Sequence, residues 1–444
     1  MVVCRIKGSP VAEVVVWVLS RKSTGRAPIT ITVVRVRTSL HQAALRPERR
    51  ICQNGSTAVM QHFDLIIVGG GLAGASLAVA LRDTRLRIAL VEHQPPTRPA
   101  GWDARVYAIS PANMAFLESI GVWKHLDPAR LSPIRAMQVA GDAGGKLEFS
   151  AFDTGVSELG WIIESSLMAC ELWESAKRQS NLTLFCPARP ESLEFRHDAA
   201  LLRLDSGVAL SGRLLVAADG RDSWVRQAAG LAAIDTPYGE KGLVANFACE
   251  KPHRGIARQW FRDDGVLAYL PLPGNRISIV WSTPDEHADA LCALSPDVLC
   301  ARVAEAAGFV LGELEMLTPA VAFPLRLIRV PQTVAPRLAL VGDAAHGIHP
   351  LSGHGINLGF QDASELASLL GATQPWHDIG DERFLQRYRR ARREEILLLQ
   401  GTTDVLRRMF RAPPLRPLRN LGLDLTNALP FVKNTLARYA LGAL

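Results

Sequence analysis

A chain of 444 residues, 48% of them hydrophobic and 21% charged, is long enough to bury a large core and to form two or more domains. Its formal net charge of +7 is concentrated in residues 1–59, which hold ten basic and two acidic residues; the rest of the chain is close to neutral, and we expect no nucleic-acid partner. The seven cysteines show no metal-ligand spacing, and no apolar run reaches the ~18 residues of a membrane-spanning helix, which predicts a cytoplasmic protein with reduced thiols.

Residues 1–59 are predicted to be an extension, either disordered or upstream of the true translation start. Their Arg-rich, acid-poor composition is also typical of an organellar transit peptide, whereas the apolar run Val14 to Leu19 is short for a secretory signal. We expect the native protein to begin at Met60, three residues before the first recognisable strand.

The segment from Phe63 to Glu92 has the pattern of a strand–turn–helix–strand unit. An apolar strand, Leu65 to Val68, is followed by a glycine-rich turn, a helix from about Leu72 to Arg82, and a second strand, Ile88 to Val91. This arrangement favours a Rossmann-like, dinucleotide-binding α/β fold.

The turn reads G-x-G-x-x-G, and an acidic residue follows about 20 residues later, which is the spacing of a dinucleotide site. Gly69 would make the tight turn, Gly71 would let the backbone approach a pyrophosphate, and Gly74 would let helix and strand pack closely. The helix N-terminus favours phosphate, and Glu92 can accept hydrogen bonds from ribose hydroxyls. The alternative is a glycine-rich turn in an ordinary βαβ unit.

Helices and strands follow in mixed order between Glu92 and the second half of the chain. Ser110 can cap a helix that begins at Pro111 and ends at Gly121. The later elements in this part of the chain are predicted strands Ile134–Val139, Lys146–Phe149 and Trp161–Glu164, a helix Ser165–Gln179, and strands Leu182–Phe185, Leu201–Leu204 and Leu214–Ala218.

From residue 244 to 281 the pattern changes to an antiparallel meander, because turn residues separate short β-type runs. Tyr269 and Trp281 on this meander are candidates for a substrate-pocket wall and equally for ordinary core. The runs are Val244–Cys249, Arg258–Phe261, Val266–Leu272 and Arg276–Trp281, and a helix Pro296–Ala307 and a strand Ala320–Leu325 follow.

The chain then returns to the dinucleotide-binding pattern. A buried-type strand, Leu338 to Val341, ends on Gly342-Asp343, and a helix runs from about Gly355 to Leu370. A long helical tail starts near Asp381 and holds a basic cluster over residues 407–419 with apolar residues between the charges. We interpret that cluster as a solvated basic face, or as a contact for a membrane surface or partner.

A second motif, Asp219-Gly220, follows the strand LLVAA. The aspartate can orient donors around a diphosphate, Gly220 allows close approach, and Arg226 adds positive charge on the next helix. Taken alone, this pair is more typical of a simple turn.

A third motif reads GDAAH and, after two residues, HPLSGHGINLG. Asp343 at a strand end is placed to accept a hydroxyl hydrogen bond, and the Gly353/Gly355 loop lets a flat ring lie against the backbone. His346, His349 and His354 suggest a metal at first sight. No nearby carboxylate or cysteine completes a ligand set, so we expect none.

Together, in this order, the three motifs resemble those of the FAD-dependent aromatic hydroxylases typified by para-hydroxybenzoate hydroxylase. The closest resemblance is to the ubiquinone-biosynthesis hydroxylases of the UbiH/UbiF/VisC family, and it spans about Phe63 to Leu444. Besides the three motifs it includes the Asp-x-Arg-Val-x-Ala-Ile loop at 103–109 and the C-terminal RNLGLDL and LARYALG.

The resemblance implies which residues hold the FAD. The flavin-proximal loop residues Pro350, Gly353 and His354 are its candidates for catalytic contact. His346, His349 and His354 would lie near the flavin, although each can simply satisfy backbone groups. The implied cofactor-binding residues are Gly69, Gly71, Gly74, Glu92, Arg105, Asp219, Gly220, Gly342, Asp343, Pro350, Gly353, Gly355, Ile356 and Asn357.

One residue departs from the family pattern. Family members usually read G-Q-G where this chain has Gly353-His354-Gly355, and a histidine beside the flavin can titrate near neutral pH.

The resemblance also implies an activity: FAD-dependent hydroxylation of the aromatic ring of a polyprenylated phenol in ubiquinone biosynthesis, with NAD(P)H as transient reductant and O₂ adding to form a flavin C4a-hydroperoxide. The alternatives are another flavin enzyme of the same fold, such as a polyprenyl reductase or halogenase, and a non-catalytic flavoprotein scaffold of a biosynthetic complex. A polyprenylated substrate would suit peripheral association with the inner membrane or with such a complex.

The implied architecture is a Rossmann-like FAD-binding domain with an inserted antiparallel-sheet substrate domain and a C-terminal helical tail. The predicted divisions are residues 1–59 for the extension, 60–135, 160–235 and 335–375 for the FAD-binding domain, 136–159 and 236–334 for the substrate domain, and 376–444 for the C-terminal helical region.

Overall fold

The computed structural model of the chain describes residues 13–19, 31–37, 60–348, 355–411 and 416–428. These residues fall into two units, 1–57 and 58–444. In the first unit, strands β1 (Glu13–Leu19) and β2 (Ile31–Arg37) pair antiparallel. The valine-rich sequences of these two stretches favour strands, and the predicted extension stays a prediction. The start at Met60 stays a prediction.

In the second unit the chain forms sheets whose strands alternate with helices in its first and last parts. The strands are β3 (Gln61–Val68), β4 (Ile88–Val91), β5 (Val106–Ile109), β6 (Ser132–Ile134), β7 (Ala136–Ala140), β8 (Lys146–Ser150), β9 (Gly160–Glu164), β10 (Leu182–Phe185), β11 (Pro190–Phe195), β12 (Ala200–Leu204), β13 (Ala209–Ala217), β14 (Ile234–Cys249), β15 (Ile256–Arg262), β16 (Gly265–Leu272), β17 (Arg276–Pro284), β18 (Leu314–Met316), β19 (Val321–Arg329), β20 (Val334–Ala335), β21 (Leu338–Leu340) and β22 (His346–Gly347).

The helices that cover these sheets are α1 (Leu72–Ala80), α2 (Pro111–Ser119), α3 (Ala151–Thr154), α4 (Ser165–Lys177), α5 (Trp224–Ala228), α6 (Asp285–Cys292), α7 (Pro296–Ala306), α8 (Gly355–Gly371), α9 (Glu382–Arg411) and α10 (Arg416–Ala428). Ser110 caps α2 as predicted, since its hydroxyl accepts from the Asn113 N–H. Among the described residues, none of these helices is both long and apolar enough to span a bilayer.

The first sheet has the strand order β10-β4-β3-β13-β12-β11, with β21 beside β13. The strands β10, β4, β3, β13 and β21 run parallel, so their carboxyl ends meet at one edge. Its central strand is buried on both faces, with Leu65, Ile66 and Ile67 fully excluded from solvent. The predicted Rossmann-like fold is confirmed.

The second sheet, called here the large sheet, has the order β22-β19-β14-β17-β16-β15-β7-β8. The predicted meander is confirmed in the antiparallel pairing of β15, β16 and β17. The strand predicted at Val244–Cys249 is longer, because β14 continues back to Ile234 through a register shift between Pro237 and Lys241. Pro237 and Gly239 are typical of turns, so the sequence pattern did not indicate a strand before Val244.

The predicted strand Ile134–Val139 is two strands. β6 pairs with β9 in a small third sheet, whereas β7 pairs with β15 and β8 in the large sheet. The break falls at Arg135, where the chain passes from one sheet to the other.

One face of the large sheet packs against α7. Tyr269 and Trp281 are each 1% exposed in this core, and the Tyr269 hydroxyl donates to the Val303 carbonyl at 2.7 Å. Both side chains are therefore core, and their use as a pocket wall is wrong. Because side chains alternate along a strand, both lie on the face that packs against α7, and the opposite face of the sheet is half-exposed.

The C-terminal helices fold back over both sheets. On α9, Arg407 pairs with Glu240 at 3.0 Å and lies over the Tyr238 ring, 4.2 Å from its centroid. On α10, Arg419 pairs with Asp142 and is 4% exposed. For these two arginines, a solvated basic face is wrong: their charges attach the tail to the large sheet.

Asn420 on α10 should contribute strongly to that attachment. Its Oδ1 accepts from the Gly145 N–H at 2.9 Å and the Ala143 N–H at 3.2 Å, and its Nδ2 donates to Asp142 at 2.8 Å. Asn420→Ala removes the acceptor of the Gly145 and Ala143 N–H groups and should lower the free energy of unfolding by about 1–3 kcal/mol in denaturant titrations. The control Asn427→Ala loses one exposed bond to Glu148 and should cost about 0.5 kcal/mol. Equal effects would contradict the assignment.

Candidate active site

The glycine turn lies at the carboxyl end of β3. Gly69 has a φ of +104°, and a Cβ there would lie 2.3 Å from the Ala218 carbonyl oxygen. A Cβ at Gly74 would lie 2.0 Å from the Gly69 carbonyl oxygen, so both glycines are required by packing. A Cβ at Gly71 would meet nothing within 4 Å, and no side chain caps the N-terminus of α1 there. The turn thus leaves space and free N–H groups at a helix N-terminus, which suits a phosphate.

Glu92 follows β4 and turns back onto the glycine turn. Its Oε2 accepts from the Gly70 N–H at 2.6 Å, and its Oε1 accepts from the His93 N–H at 2.8 Å. The carboxylate is fixed beside the turn and retains lone pairs for a ribose hydroxyl. Its role in shaping the loop was not predicted.

The Asp219-Gly220 turn lies beside the glycine turn, because β13 runs parallel to β3. Asp219 Oδ2 accepts from the Val225 N–H at 3.0 Å, whereas its Oδ1 is buried without a hydrogen-bond partner among the described residues. Burial raises the pKa of Asp219. A Cβ at Gly220 would point into open space. An orphaned buried carboxylate oxygen disfavours a simple turn and fits a site that accepts a further donor.

Arg226 on α5 connects two of the predicted motifs. It is 6% exposed and donates to the Ala344 carbonyl and to the Arg221 carbonyl, each at 2.9 Å. Within the described residues it makes no ion pair. A buried cation without a carboxylate is costly unless a ligand supplies negative charge, and a pyrophosphate fits that requirement.

Asp343 lies in a 3₁₀ turn, Gly342–Ala344, just after β21. Its side chain is 48% exposed, and Arg221 Nη2 lies 4.0 Å from it. A Cβ at Gly342 would lie 3.1 Å from the Ala73 Cβ, so this turn packs directly on the start of α1. The first and third motifs, about 270 residues apart, therefore meet with Asp343 still free to accept hydroxyl hydrogen bonds.

Arg105 and Tyr107 lie on the same side as Asp343. The exposed Arg105 guanidinium lies 4.8 Å from the Phe323 ring centroid. Burial raises the pKa of Tyr107; Arg105 opposes this shift and Asp343 adds to it, which places the three side chains within electrostatic range. Tyr107 was missed by the sequence reasoning, although it lies within the 103–109 loop that carried the resemblance.

The first turn of α8 was predicted to line the flavin ring. A Cβ at Gly355 would face open space, and Ile356 packs against a buried apolar cluster. The Asn357 side chain accepts from the Ser110 N–H at 3.0 Å and donates to the Ala108 carbonyl at 2.7 Å. It therefore attaches α8 to β5 and α2. The predicted Pro350, Gly353 and His354, together with His349, lie outside the described residues.

His346 belongs to a buried network that the sequence reasoning missed. Its Nε2 lies 2.6 Å from Asp362 Oδ2, which also accepts from the Gly342 N–H at 2.9 Å. Asp362 Oδ1 accepts from Arg392 Nε at 2.8 Å. Burial favours a raised pKa for Asp362, but His346 and Arg392 outweigh it and the pKa is lowered. His346 is 3% exposed, and its Nε2 is occupied by Asp362.

Comparison with known proteins fits this geometry. The FAD binding domain family matches residues 62–397. The chain has the fold of the monooxygenase PqsL from P. aeruginosa, solved with 2-aminobenzoylacetate, with a TM-score of 0.69, 24% identity, and coverage of 82% of this chain and 99% of that one. The fold of p-nitrophenol 4-monooxygenase PnpA from Pseudomonas putida is similar, with a TM-score of 0.70, 18% identity, and coverage of 86% and 99%. The chain therefore contains an FAD-binding domain and shares its fold with these monooxygenases.

Sequence relatives show more closely which family the chain belongs to. Ubiquinone hydroxylase UbiL of Rhodospirillum rubrum is 34% identical over 387 residues, covering 86% of this chain and 90% of the relative. The 3-demethoxyubiquinol 3-hydroxylase of Escherichia coli is 32% identical, covering 86% and 99%. The human ubiquinone biosynthesis monooxygenase COQ6 is 31% identical, covering 91% and 97%. The chain belongs to the family of FAD-dependent ubiquinone-biosynthesis hydroxylases.

Gly74, where a Cβ would clash, and Gly71, where it would not, provide a matched pair of substitutions that tests the phosphate site. Gly74→Ala forces a Cβ against the Gly69 carbonyl and should destabilise the fold by about 2 kcal/mol or more. Gly71→Ala meets no protein atom and should leave the melting temperature of the apoprotein unchanged, yet weaken FAD binding about tenfold by occupying the phosphate space. Calorimetry and fluorimetric FAD titration separate the two effects. Unaltered FAD affinity in Gly71→Ala would refute the phosphate assignment.

The buried Asp362 should make stability depend on pH. Because its pKa is lowered in the folded state, its contribution is present at neutral pH and is lost as the pH falls below the ordinary aspartate range, about pH 4. Asp362→Asn should cost about 3 kcal/mol at neutral pH, because it removes the buried carboxylate that pairs with Arg392 and His346 and leaves Arg392 with Glu395 as its acidic partner. The gap from wild type should narrow on acidification. Denaturant melts at several pH values measure this. Glu394→Gln, an exposed change on α9, should show no such gap; a gap of constant size for Asp362→Asn would contradict the prediction.

Proposed function

We propose that the protein hydroxylates the aromatic ring of a polyprenylated phenol in ubiquinone biosynthesis. Sequence relatives in Rhodospirillum rubrum, Escherichia coli and human are named for ubiquinone hydroxylation or ubiquinone biosynthesis. The observation that carries the proposal is the meeting of three cofactor motifs at the carboxyl edge of one parallel sheet, beside an apolar face of a second sheet.

Within this proposal, the cofactor is held from three sides. Gly71, Glu92 and the N-terminus of α1 would take the ADP half, Asp219 and Arg226 the pyrophosphate region, and Asp343 the ribityl chain. When bound and reduced by NAD(P)H, FAD supplies the activation of O₂. Pro350, Gly353, His354 and Gly355 would lie along the ring; these positions stay predictions.

The floor for the substrate would be an apolar row across the large sheet. Val244 on β14 is paired with Val321 on β19 and with Val280 on β17, and Val280 is paired with Ala268 on β16. Directly opposed residues share a face, and this row lies on the face opposite to the Tyr269 core. All four are partly or largely exposed. An aliphatic row of this kind suits an aromatic ring with an apolar tail, and it excludes water from the reaction.

Arg105 would close the site over this floor. Its guanidinium lies over Phe323, and its backbone N–H donates to Asp103 Oδ1 at 2.9 Å, so the loop is fixed while the charge stays exposed. Such a cation can attract the phenolate form of a substrate or the phosphates of the reductant. A polyprenylated substrate also calls for peripheral contact with the inner membrane or with a biosynthetic complex.

Asp343→Ala should weaken FAD retention about tenfold, because one acceptor for the ribityl hydroxyls is lost. The measurement is the ratio of flavin to protein absorbance after gel filtration. The control is Asp83→Ala, whose carboxylate is 94% exposed and distant from the motifs, and it should retain FAD. Full occupancy in Asp343→Ala would refute the assigned role.

The pathway is tested in a strain that lacks this gene. We expect accumulation of a ubiquinone precursor that lacks one ring hydroxyl, and recovery when the gene is restored. The purified enzyme should incorporate one atom of labelled O₂ into that precursor with consumption of NAD(P)H. Val280→Phe, which fills the proposed floor, should reduce kcat/KM for the prenylated precursor about tenfold while FAD stays bound. Unchanged ubiquinone and precursor levels in the deletion strain would overturn the assignment.

A further inference from the structure

Helix α9 presents one continuous exposed stripe to solvent. The 3.6-residue period places its exposed residues on one side, opposite the buried Leu385, Tyr388 and Gln400. This surface, called here the α9 stripe, is formed by Arg383, Arg387, Arg390, Arg393, Glu394, Leu397, Leu398, Thr402, Val405 and Arg408.

The first half of the α9 stripe is strongly basic. Arg383, Arg387, Arg390 and Arg393 form no ion pair with any described residue, and only one acid, Glu394, lies among them. Other arginines of the C-terminal region behave differently, since Arg407 and Arg419 are paired with buried acids. The exposed arginines therefore create a positive surface that the protein itself leaves uncompensated.

The second half of the stripe is apolar. Leu397 is 52% exposed, Leu398 48% and Val405 61%. The following helix α10 adds Leu421 and Leu425, which are 62% and 56% exposed and lie four residues apart on one face. Exposed leucines that occur singly are normal, but three exposed aliphatic side chains that continue a basic surface along α9, followed by two more on α10, are typical of a binding surface.

We propose that the α9 stripe, with Leu421 and Leu425, docks on an anionic lipid bilayer. The inference rests on the proposed function only for the reason why such docking is useful, namely access to a lipid-resident substrate. Leu397 lies four residues beyond Arg393, a rise of about 6 Å along the helix. This spacing lets the leucines enter the acyl boundary while the arginines remain at the level of the phosphates.

Charge complementarity distinguishes between the three possible occupants of the α9 stripe, namely a second copy of the chain, an acidic protein and an anionic bilayer. A second copy of the chain in a symmetric contact would bring a surface of four arginines without ion pairs among the described residues and one acid against itself, since Arg408 pairs with Asp404, and such a contact is repulsive. An acidic protein would satisfy the arginines, but the described apolar part is leucine and valine, which are under-represented among the residues that dominate protein interfaces. An anionic bilayer satisfies both halves.

The experiment is flotation of the FAD-loaded full chain with two kinds of vesicle, pure phosphatidylcholine and phosphatidylcholine with about 30 mol% phosphatidylglycerol. We expect binding to the anionic vesicles, with little binding to the neutral ones and a loss at high salt. The double variants Arg390→Ser/Arg393→Ser and Leu397→Ser/Leu398→Ser should each lower the partition coefficient about tenfold.

The controls separate a lipid surface from other effects. Val298→Ser/Phe309→Ser removes exposed apolar side chains on and just after α7 and should bind like wild type. Flavin absorbance and thermal melts verify that each variant is folded. Residues 1–59, whose net charge is +8, are present in every variant, so the differences report on the stripe alone.

Three outcomes would overturn the proposal. They are wild-type affinity in both stripe variants, equal binding to neutral vesicles, and a change of molar mass in light scattering of the leucine variant, which would identify a second copy as the occupant. Hydroxylation of a detergent-dispersed substrate is measured in parallel. Loss of vesicle binding with this activity retained supports docking, whereas absent activity in a wild type that still binds vesicles rejects only the proposed function.

Discussion

The arrangement of the site depends on one buried carboxylate, that of Asp362. Its two oxygens hold the Gly342 N–H, His346 and Arg392, and thereby join the turn that carries Asp343, the helix α8 and the helix α9. A carboxylate with no exposure to water is costly by itself, and its neighbours offset that cost only while all of them remain in place. The network therefore favours one arrangement of the three segments, which is what a cofactor site at their junction requires.

The sequence predicted the parts of the site that local geometry dictates. Gly69 follows β3, Gly74 lies in the first turn of α1 and Asp343 follows β21. Their residue types and spacing were sufficient to predict them as cofactor contacts, and that role stays a prediction. Asp362, Tyr107 and the bridging role of Arg226 depend on partners from 16 to more than 200 residues away, and no local pattern marks them. The same reason explains β14, where turn residues that favour a loop are overridden by pairing on both sides.

The roles of the C-terminal arginines could not be predicted from composition. The described arginines of α9 and α10 form two populations. Arg392, Arg407 and Arg419 point inward, pair with acids and attach the tail. Arg383, Arg387, Arg390 and Arg393 point outward and form no ion pair within the part of the chain that the structure describes. The helical period of α9 separates the two groups of arginines, but the sequence does not tell which side of the helix faces the protein.

The two sides of α9 serve the same requirement. On its inner side, Arg392 holds Asp362, and Gln400 donates to the carbonyls of Ile328 and Gly347 at 2.9 and 3.2 Å, next to the turn that carries Asp343. On its outer side lie the unpaired arginines and exposed leucines. Because helices transmit position rigidly along their length, a surface that holds α9 also fixes the orientation of the cofactor site relative to that surface. An enzyme whose substrate lies in a bilayer needs such an orientation, and a single helix that is inward-paired and outward-basic can provide it.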